Sequence, residues 1–209
     1  QVYAGEVWFC SGQSNMQMPV QGSWGLMNNY QEEIKNANYP MIKLLSVAAS
    51  GKNNHPADDT DLWSNWVACS PSTIPDFSAL AYCFGRELYK NLNIPIGLIQ
   101  CAYGGSNAEA WVSLETARTI PALKTQLDKC AQYDFHRDSV SKYLGMKNEF
   151  QVPTLLYNTM VHPMINFPIR GVIWYQGETN AWGSSYYTAL MDSLISSWRK
   201  DWGYKFPFY

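Results

Sequence analysis

Charge is scarce in this 209-residue chain: 15% of the residues are Asp, Glu, Lys or Arg, against a usual share of about 25%. The 15 basic and 17 acidic residues leave a formal charge of -2, and no basic run supplies the footprint that nucleic acid or an anionic membrane surface requires. No apolar run reaches the ~20 residues needed to cross a bilayer, so no membrane insertion is expected. The start, Gln1-Val2-Tyr3-Ala4, lacks the basic and apolar regions of a signal peptide. The 5 cysteines include no C-x-x-C pair and no metal-ligand spacing. Buried free thiols are the plainer reading, with a Cys69–Cys83 bridge left open. Also missing are G-x-x-x-x-G-K-[ST], G-x-G-x-x-G and G-x-S-x-G, which removes support for nucleotide binding and for the common α/β-hydrolase elbow.

Apolar and aromatic residues are plentiful. Hydrophobic residues make up 46% of the chain, with 9 Trp and 14 Tyr, which excludes disorder and fits one domain of ordinary size over 1–209. Four short apolar runs read as buried strands: Val7–Cys10, Ile42–Val47, Ile96–Cys101 and Val172–Tyr175. Leu80, Cys83, Phe84 and Leu88 repeat at helical spacing and stop before Asn93-Ile94-Pro95. A second helix is expected over Ser184–Lys200, with Ser184-Ser185 as cap candidates and Gly203 just past its end. Residues 113–145 read as helical but irregular, interrupted at Pro121, and residues 50–61 as a polar surface loop. Strands alternating with helices imply an α/β domain with a mostly parallel sheet, whose ligands sit beyond the carboxyl ends of the strands. Lys205-Phe206-Pro207-Phe208-Tyr209 reads as the approach to a fifth strand, so the sheet is expected to be unfinished at Tyr209.

The strand ends carry the chemistry. Ser11-Gly12-Gln13-Ser14-Asn15-Met16, Tyr103-Gly104-Gly105-Ser106-Asn107 and Gln176-Gly177-Glu178-Thr179-Asn180 follow three of the four strands and would share one rim. A serine at a strand-to-helix turn presents its hydroxyl to substrate, and glycine lets backbone N–H groups approach a developing oxyanion. Each cluster alone also fits plain turn and cap chemistry, with Ser14 as a cap, Gly105 as a turn residue and Gln176 and Asn180 as loop hydrogen-bonders.

Together with Phe84-Gly85-Arg86-Glu87-Leu88, Ala108-Glu109-Ala110-Trp111 and Leu156-Tyr157-Asn158, the strings Gly-Gln-Ser-Asn-Met and Trp-Tyr-Gln-Gly-Glu resemble the sialate O-acetylesterase family. That family lies in the SGNH hydrolase superfamily and is similar to acetylxylan esterases. The resemblance implies a flavodoxin-like three-layer α/β/α fold and a serine esterase that removes acetyl groups from sugar hydroxyls without a cofactor or metal. It makes Ser14 the nucleophile, with the Ser14 and Gly105 backbone N–H groups and the Gln176 side-chain amide as oxyanion donors. The neighbouring Asn15, Asn107, Glu178 and Asn180 are the candidate substrate-binding set. Gln176 stands where many SGNH enzymes carry Asn, and Glu178 either orients the nucleophile loop or, more simply, is a buried structural acceptor.

The family's Asp-x-x-His motif has no counterpart in this sequence. His55 reads as solvated, His136 has an Asp only two residues earlier, and His162 before Pro163 reads as a core or supporting residue. The expectation is therefore that the C-terminal remainder of a longer protein supplies the catalytic His. Asp58, Asp59 and Asp61 lack the Gly and terminal Glu of a calcium loop. Of Trp24, Trp63, Trp66, Trp111 and Trp182, one or two at most would form a sugar-stacking platform, aromatic residues being more often core. The expected substrate is an O-acetylated carbohydrate, sialic acid esters first, in a secreted or periplasmic setting. Alternatives are an acetylxylan or general short-chain esterase and, from another class, a catalytically incomplete carbohydrate-binding fragment.

Overall fold

The computed structural model describes residues 3–48, 54–62, 64–181 and 185–209. Five strands form one sheet: β1 (Glu6–Gly12), β2 (Tyr39–Ser46), β3 (Val67–Cys69), β4 (Ile96–Ala102) and β5 (Gly171–Tyr175), in the order β3-β2-β4-β1-β5. β1 runs parallel to both β4 and β5, and β2 runs parallel to β4. The four expected strands are all present. The fifth, β3, pairs antiparallel with β2, so the sheet is mixed rather than wholly parallel. Three residues flanked by irregular chain leave no alternation long enough to read as a strand.

The continuous apolar runs have a direct cause: both faces of the sheet are covered. On one face Trp8, Cys10, Ile42, Leu44 and Leu98 pack with α1 (Ser14–Gln17), α2 (Tyr30–Asn36) and α3 (Ala79–Leu92). Phe9, Leu45 and Ile99 point the other way. There they meet Trp111, Leu156 and the long helix α7 (Tyr187–Asp201), whose Leu190, Leu194 and Trp198 are buried. Fully burying one such side chain contributes roughly 1.5–3 kcal/mol. The three-layer α/β/α arrangement is thus built from strands whose successive side chains serve two separate cores.

Local signals explain the helix ends. Ser78 Oγ accepts from Ala81 N at 3.0 Å to cap α3, and Asn93 ends it in the left-handed conformation. α7 begins at Tyr187, three residues after the expected start, and makes no side-chain cap bond; Ser184 and Trp182 lie outside the described residues. The irregular stretch after β4 resolves into α4 (Leu114–Arg118), α5 (Lys124–Cys130) and α6 (Val140–Tyr143), with Pro121 opening a 3-10 turn between the first two. Residues 207–209 lie parallel along the free edge of β5: Val172 N donates to Pro207 O and Tyr209 N to Val172 O, both at 3.0 Å. The terminal segment therefore adds to the sheet as its sequence suggests.

All 5 cysteines are free, so Cys69 and Cys83 are not bridged. Burial pushes the Cys69 thiol up to about 12, with the Tyr39 backbone opposing. Among the described residues no helix is long and apolar enough to cross a membrane.

Candidate active site

The first strand end is shaped by one glycine. Gly12 has φ +138°, and a Cβ there would collide with the Tyr175 carbonyl of the adjoining strand. The turn it permits places Gln13 at the N-cap and Ser14 as the first residue of α1, so Ser14 is not the cap. Ser14 is half-buried and Asn15 exposed, whereas Gln13 is buried.

The second strand end comes up against the first. Gly104 N donates to Gln17 Oε1 at 2.7 Å, and the position a Gly104 Cβ would take is 3.5 Å from Ser14 Cβ. Gly105 follows with φ +74°, and Gln151 Nε2 holds its carbonyl at 3.0 Å. Neither Ser14 N–H nor Gly105 N–H donates to an acceptor among the described residues. Two free backbone donors thus lie at adjoining strand ends, one on Ser14 itself and one on the residue after Gly104.

The third strand end is fixed by a buried polar network. Gln176 Nε2 faces Asn180 Oδ1 at 2.6 Å, Gln13 Oε1 at 3.1 Å and Ser106 O at 3.3 Å. Three acceptors around one nitrogen determine which way the amide points, and Tyr187 hydroxyl donates to its Oε1 at 3.0 Å. Asn180 Oδ1 also accepts from Ala108 N at 2.9 Å, while its Nδ2 donates to Glu109 Oε2 at 2.9 Å. Glu109 is 3% exposed and takes the Tyr186 hydroxyl at 2.7 Å on its other oxygen. This satisfies a buried carboxylate that would otherwise be costly.

The expected site residues separate accordingly. Ser14, Gly105, Gln176 and Asn180 are joined through Gly104 and Gln13. Asn15 Nδ2 donates to Glu178 Oε1, and Glu178 is exposed rather than a buried acceptor. Asn107 Oδ1 and Asn148 Oδ1 are buried and without a partner among the described residues. Both residues line a cavity of about 650 Å³ with Gly105, Glu178 and Asn180.

None of the three histidines is bonded to Ser14. His162 Nδ1 pairs with Ala57 O at 3.0 Å, while its ring lies 6.1 Å from that of Tyr157. His136 and His55 are exposed; the His136 backbone N–H turns to Asp134 and His55 lines a separate cavity. Asp58, Asp59 and Asp61 are exposed as well. Trp111 is core, donating to Ser106 Oγ at 2.9 Å, which removes it as a stacking platform, whereas Trp66 is exposed with its ring 6.3 Å from that of Phe167. Trp63 lies outside the described residues.

Several supporting residues had no individual role in the sequence reading. Gln13 and Glu109 stand inside strings that carried the resemblance, and Gln17 immediately follows one. Asn148 and Gln151 come from an irregular segment that offers no pattern to read.

A family model described as carbohydrate esterase, sialic acid-specific acetylesterase matches residues 4–136. The chain belongs to this family. It is 31% identical to mouse sialate O-acetylesterase over 97% of its own length and 40% of that protein. To the human sialate O-acetylesterase it is 33% identical, over 95% of its length and 36% of that protein. A solved carbohydrate acetylesterase from Xanthomonas citri superposes with a TM-score of 0.75 at 32% identity, covering 98% of this chain and 40% of that one. The chain thus spans about two-fifths of the length of the relatives it matches.

Proposed function

We propose that this chain carries the nucleophile and oxyanion donors of a carbohydrate O-acetylesterase. The observation that supports the reading best is the pair of free N–H groups, on Ser14 and on Gly105, at two strand ends that meet where Gly104 approaches Ser14. Ser14 Oγ attacks the acetyl carbonyl and the carbonyl oxygen takes up negative charge. The two N–H groups meet that charge without reorganising, the arrangement acyl transfer requires. Collapse expels the sugar hydroxyl, and water then releases acetate from the acyl-serine.

The attack needs a general base. With His162 paired to Ala57 O and neither His55 nor His136 bonded to Ser14, the proposed base is a histidine in the remaining part of a longer protein such as its relatives. The substrate class follows from the family description and the relatives' names: O-acetyl esters of sialic acid first, other acetylated glycans second. A secreted or periplasmic setting rests on the resemblance to sugar esterases alone.

Ser14→Ala in the complete protein is expected to abolish acetate release from O-acetylated sialic acid with an unchanged melting temperature, because a half-exposed hydroxyl contributes chemistry rather than packing. Near-normal release by the variant would remove Ser14 as nucleophile. That none of the three histidines is bonded to Ser14 also favours a second reading, a glycan-binding fragment without turnover. Glycan binding by the complete wild-type protein, with no acetate released above the Ser14→Ala level, would establish it instead.

A further inference from the structure

A second cavity, of about 550 Å³, is lined by Gln17, the last residue of the short helix that Ser14 begins. Gly104 touches both residues: its N–H donates to Gln17 Oε1 at 2.7 Å, and a Cβ built on it would sit 3.5 Å from Ser14 Cβ. Gln17 is a wall of this second cavity, and Gly105, the next residue along, is a wall of the first. Gln17, on the same short helix as Ser14, and Gly105 thus each wall a different cleft, both within the ~300–1,000 Å³ usual for small-molecule sites.

The walls of the second cleft have a definite chemistry. Trp24, 55% exposed, sits in a turn closed by Gly22 N to Gly25 O at 2.9 Å. Flanking backbone bonds, Val20 N to Phe77 O and Gln21 N to Pro75 O, pin that turn to the body of the protein. The Trp24 ring makes no ring contact and its indole N–H no bond among the described residues. Gln17 Oε1 is taken by Gly104 N and Gln100 Oε1 by Ser78 N, which leaves both Nε2 groups as donors. Among the described residues the exposed Asp76 carboxylate has no partner and no Lys or Arg lines the cleft.

An open aromatic face, two amide donors and a carboxylate acceptor together match the apolar face and ring hydroxyls of a pyranose. The Asp76 carboxylate disfavours an acidic sugar there by charge. We infer that this cleft binds a neutral sugar unit joined to the acetylated one, so that the preferred substrate is an acetylated oligosaccharide rather than a monosaccharide ester. The inference rests on the esterase reading for its catalytic consequence but not for binding.

The experiment uses the complete protein with three esters: p-nitrophenyl acetate, an acetylated monosaccharide, and acetylated oligosaccharides of xylose and glucose. Trp24→Ala is expected to lower kcat/KM for an oligosaccharide about tenfold through KM, the scale of one aromatic face uncovered. The monosaccharide and p-nitrophenyl acetate should be unaffected. Trp24→Phe should recover most of the loss, and Asp76→Asn should weaken the same substrate alone. Equal losses on all three esters, or none on the oligosaccharides, would overturn the inference. Calorimetry with the unacetylated oligosaccharides separates it from the parent reading. If the wild type releases no acetate from any ester, the esterase reading fails, while oligosaccharide binding weakened by Trp24→Ala still supports the cleft. Binding that is absent, or indifferent to Trp24, overturns the cleft whatever the turnover.

Discussion

Gln176 has two amide hydrogens and three acceptors around them, which sets what it can do. The 2.6 Å bond to Asn180 fixes one hydrogen. The other is shared between Gln13 Oε1 and Ser106 O at 3.1 and 3.3 Å, and it is the one a substrate oxyanion would compete for. A full negative charge is a stronger acceptor than either neutral oxygen, so on the proposed oxyanion role the donor would turn outward mainly in the transition state. Gln176→Ala is expected to lower kcat by about a hundredfold with a smaller change in KM. A raised KM at constant kcat, in steady-state assays of the complete protein, would make Gln176 a ground-state binder instead. The roles of Ser14, Gly105 and Gln176 rest on the family resemblance; their places at strand ends were legible because each follows an apolar run within a few residues. Gln17 and Glu109 were not, because their partners, Gly104 and Asn180, become neighbours only once the strand order is known.

At the scale of elements, β1 is held between β4 and β5 and cannot shift toward one without leaving the other. Gly12 closes that strand where the Tyr175 carbonyl leaves no room for a Cβ, and its φ of +138° suits no other residue. Gly12→Ala is therefore expected to cost about 3 kcal/mol or more, as strain and backbone collision combine. Gly203, with φ +78° and nothing within 4 Å of its would-be Cβ, has conformational strain alone, so Gly203→Ala should cost only about 1 kcal/mol. Denaturant midpoints for the two variants test the difference, and equal costs would show that the Tyr175 contact relaxes freely. The elements that sequence made visible are those with such local causes: Ser78 before α3, Asn93 after it, and the apolar stripe of α7. β3 was invisible because its existence depends on pairing with β2 rather than on its own three residues.

At the scale of the whole molecule, the layer containing α7 ends on a charge that the core does not favour. Asp201, the last residue of α7, accepts the Tyr157 hydroxyl at 2.8 Å. Burial raises its pKa above the ordinary 3.8, with Glu115 adding to the rise and Tyr157, Lys200 and His162 opposing it. Its position at a helix C-terminus adds a further unfavourable field. Below pH 3.8 the folded and unfolded chains both carry the proton, and burial of the group costs nothing on that account. As pH rises from there to the raised folded value, the unfolded chain ionises first and stability falls; above that value the deficit is constant. Asp201→Asn removes the titration while its amide oxygen still accepts from Tyr157. The variant is thus expected to gain stability relative to wild type as pH is raised from about 3 towards neutrality, with the difference levelling off once Asp201 is ionised in both states. Melting temperatures of the two proteins across that range test it. A difference that stays flat, or that favours the wild type increasingly with pH, would mean that Lys200, His162 and the Tyr157 hydroxyl together outweigh burial and that the carboxylate is held for stability.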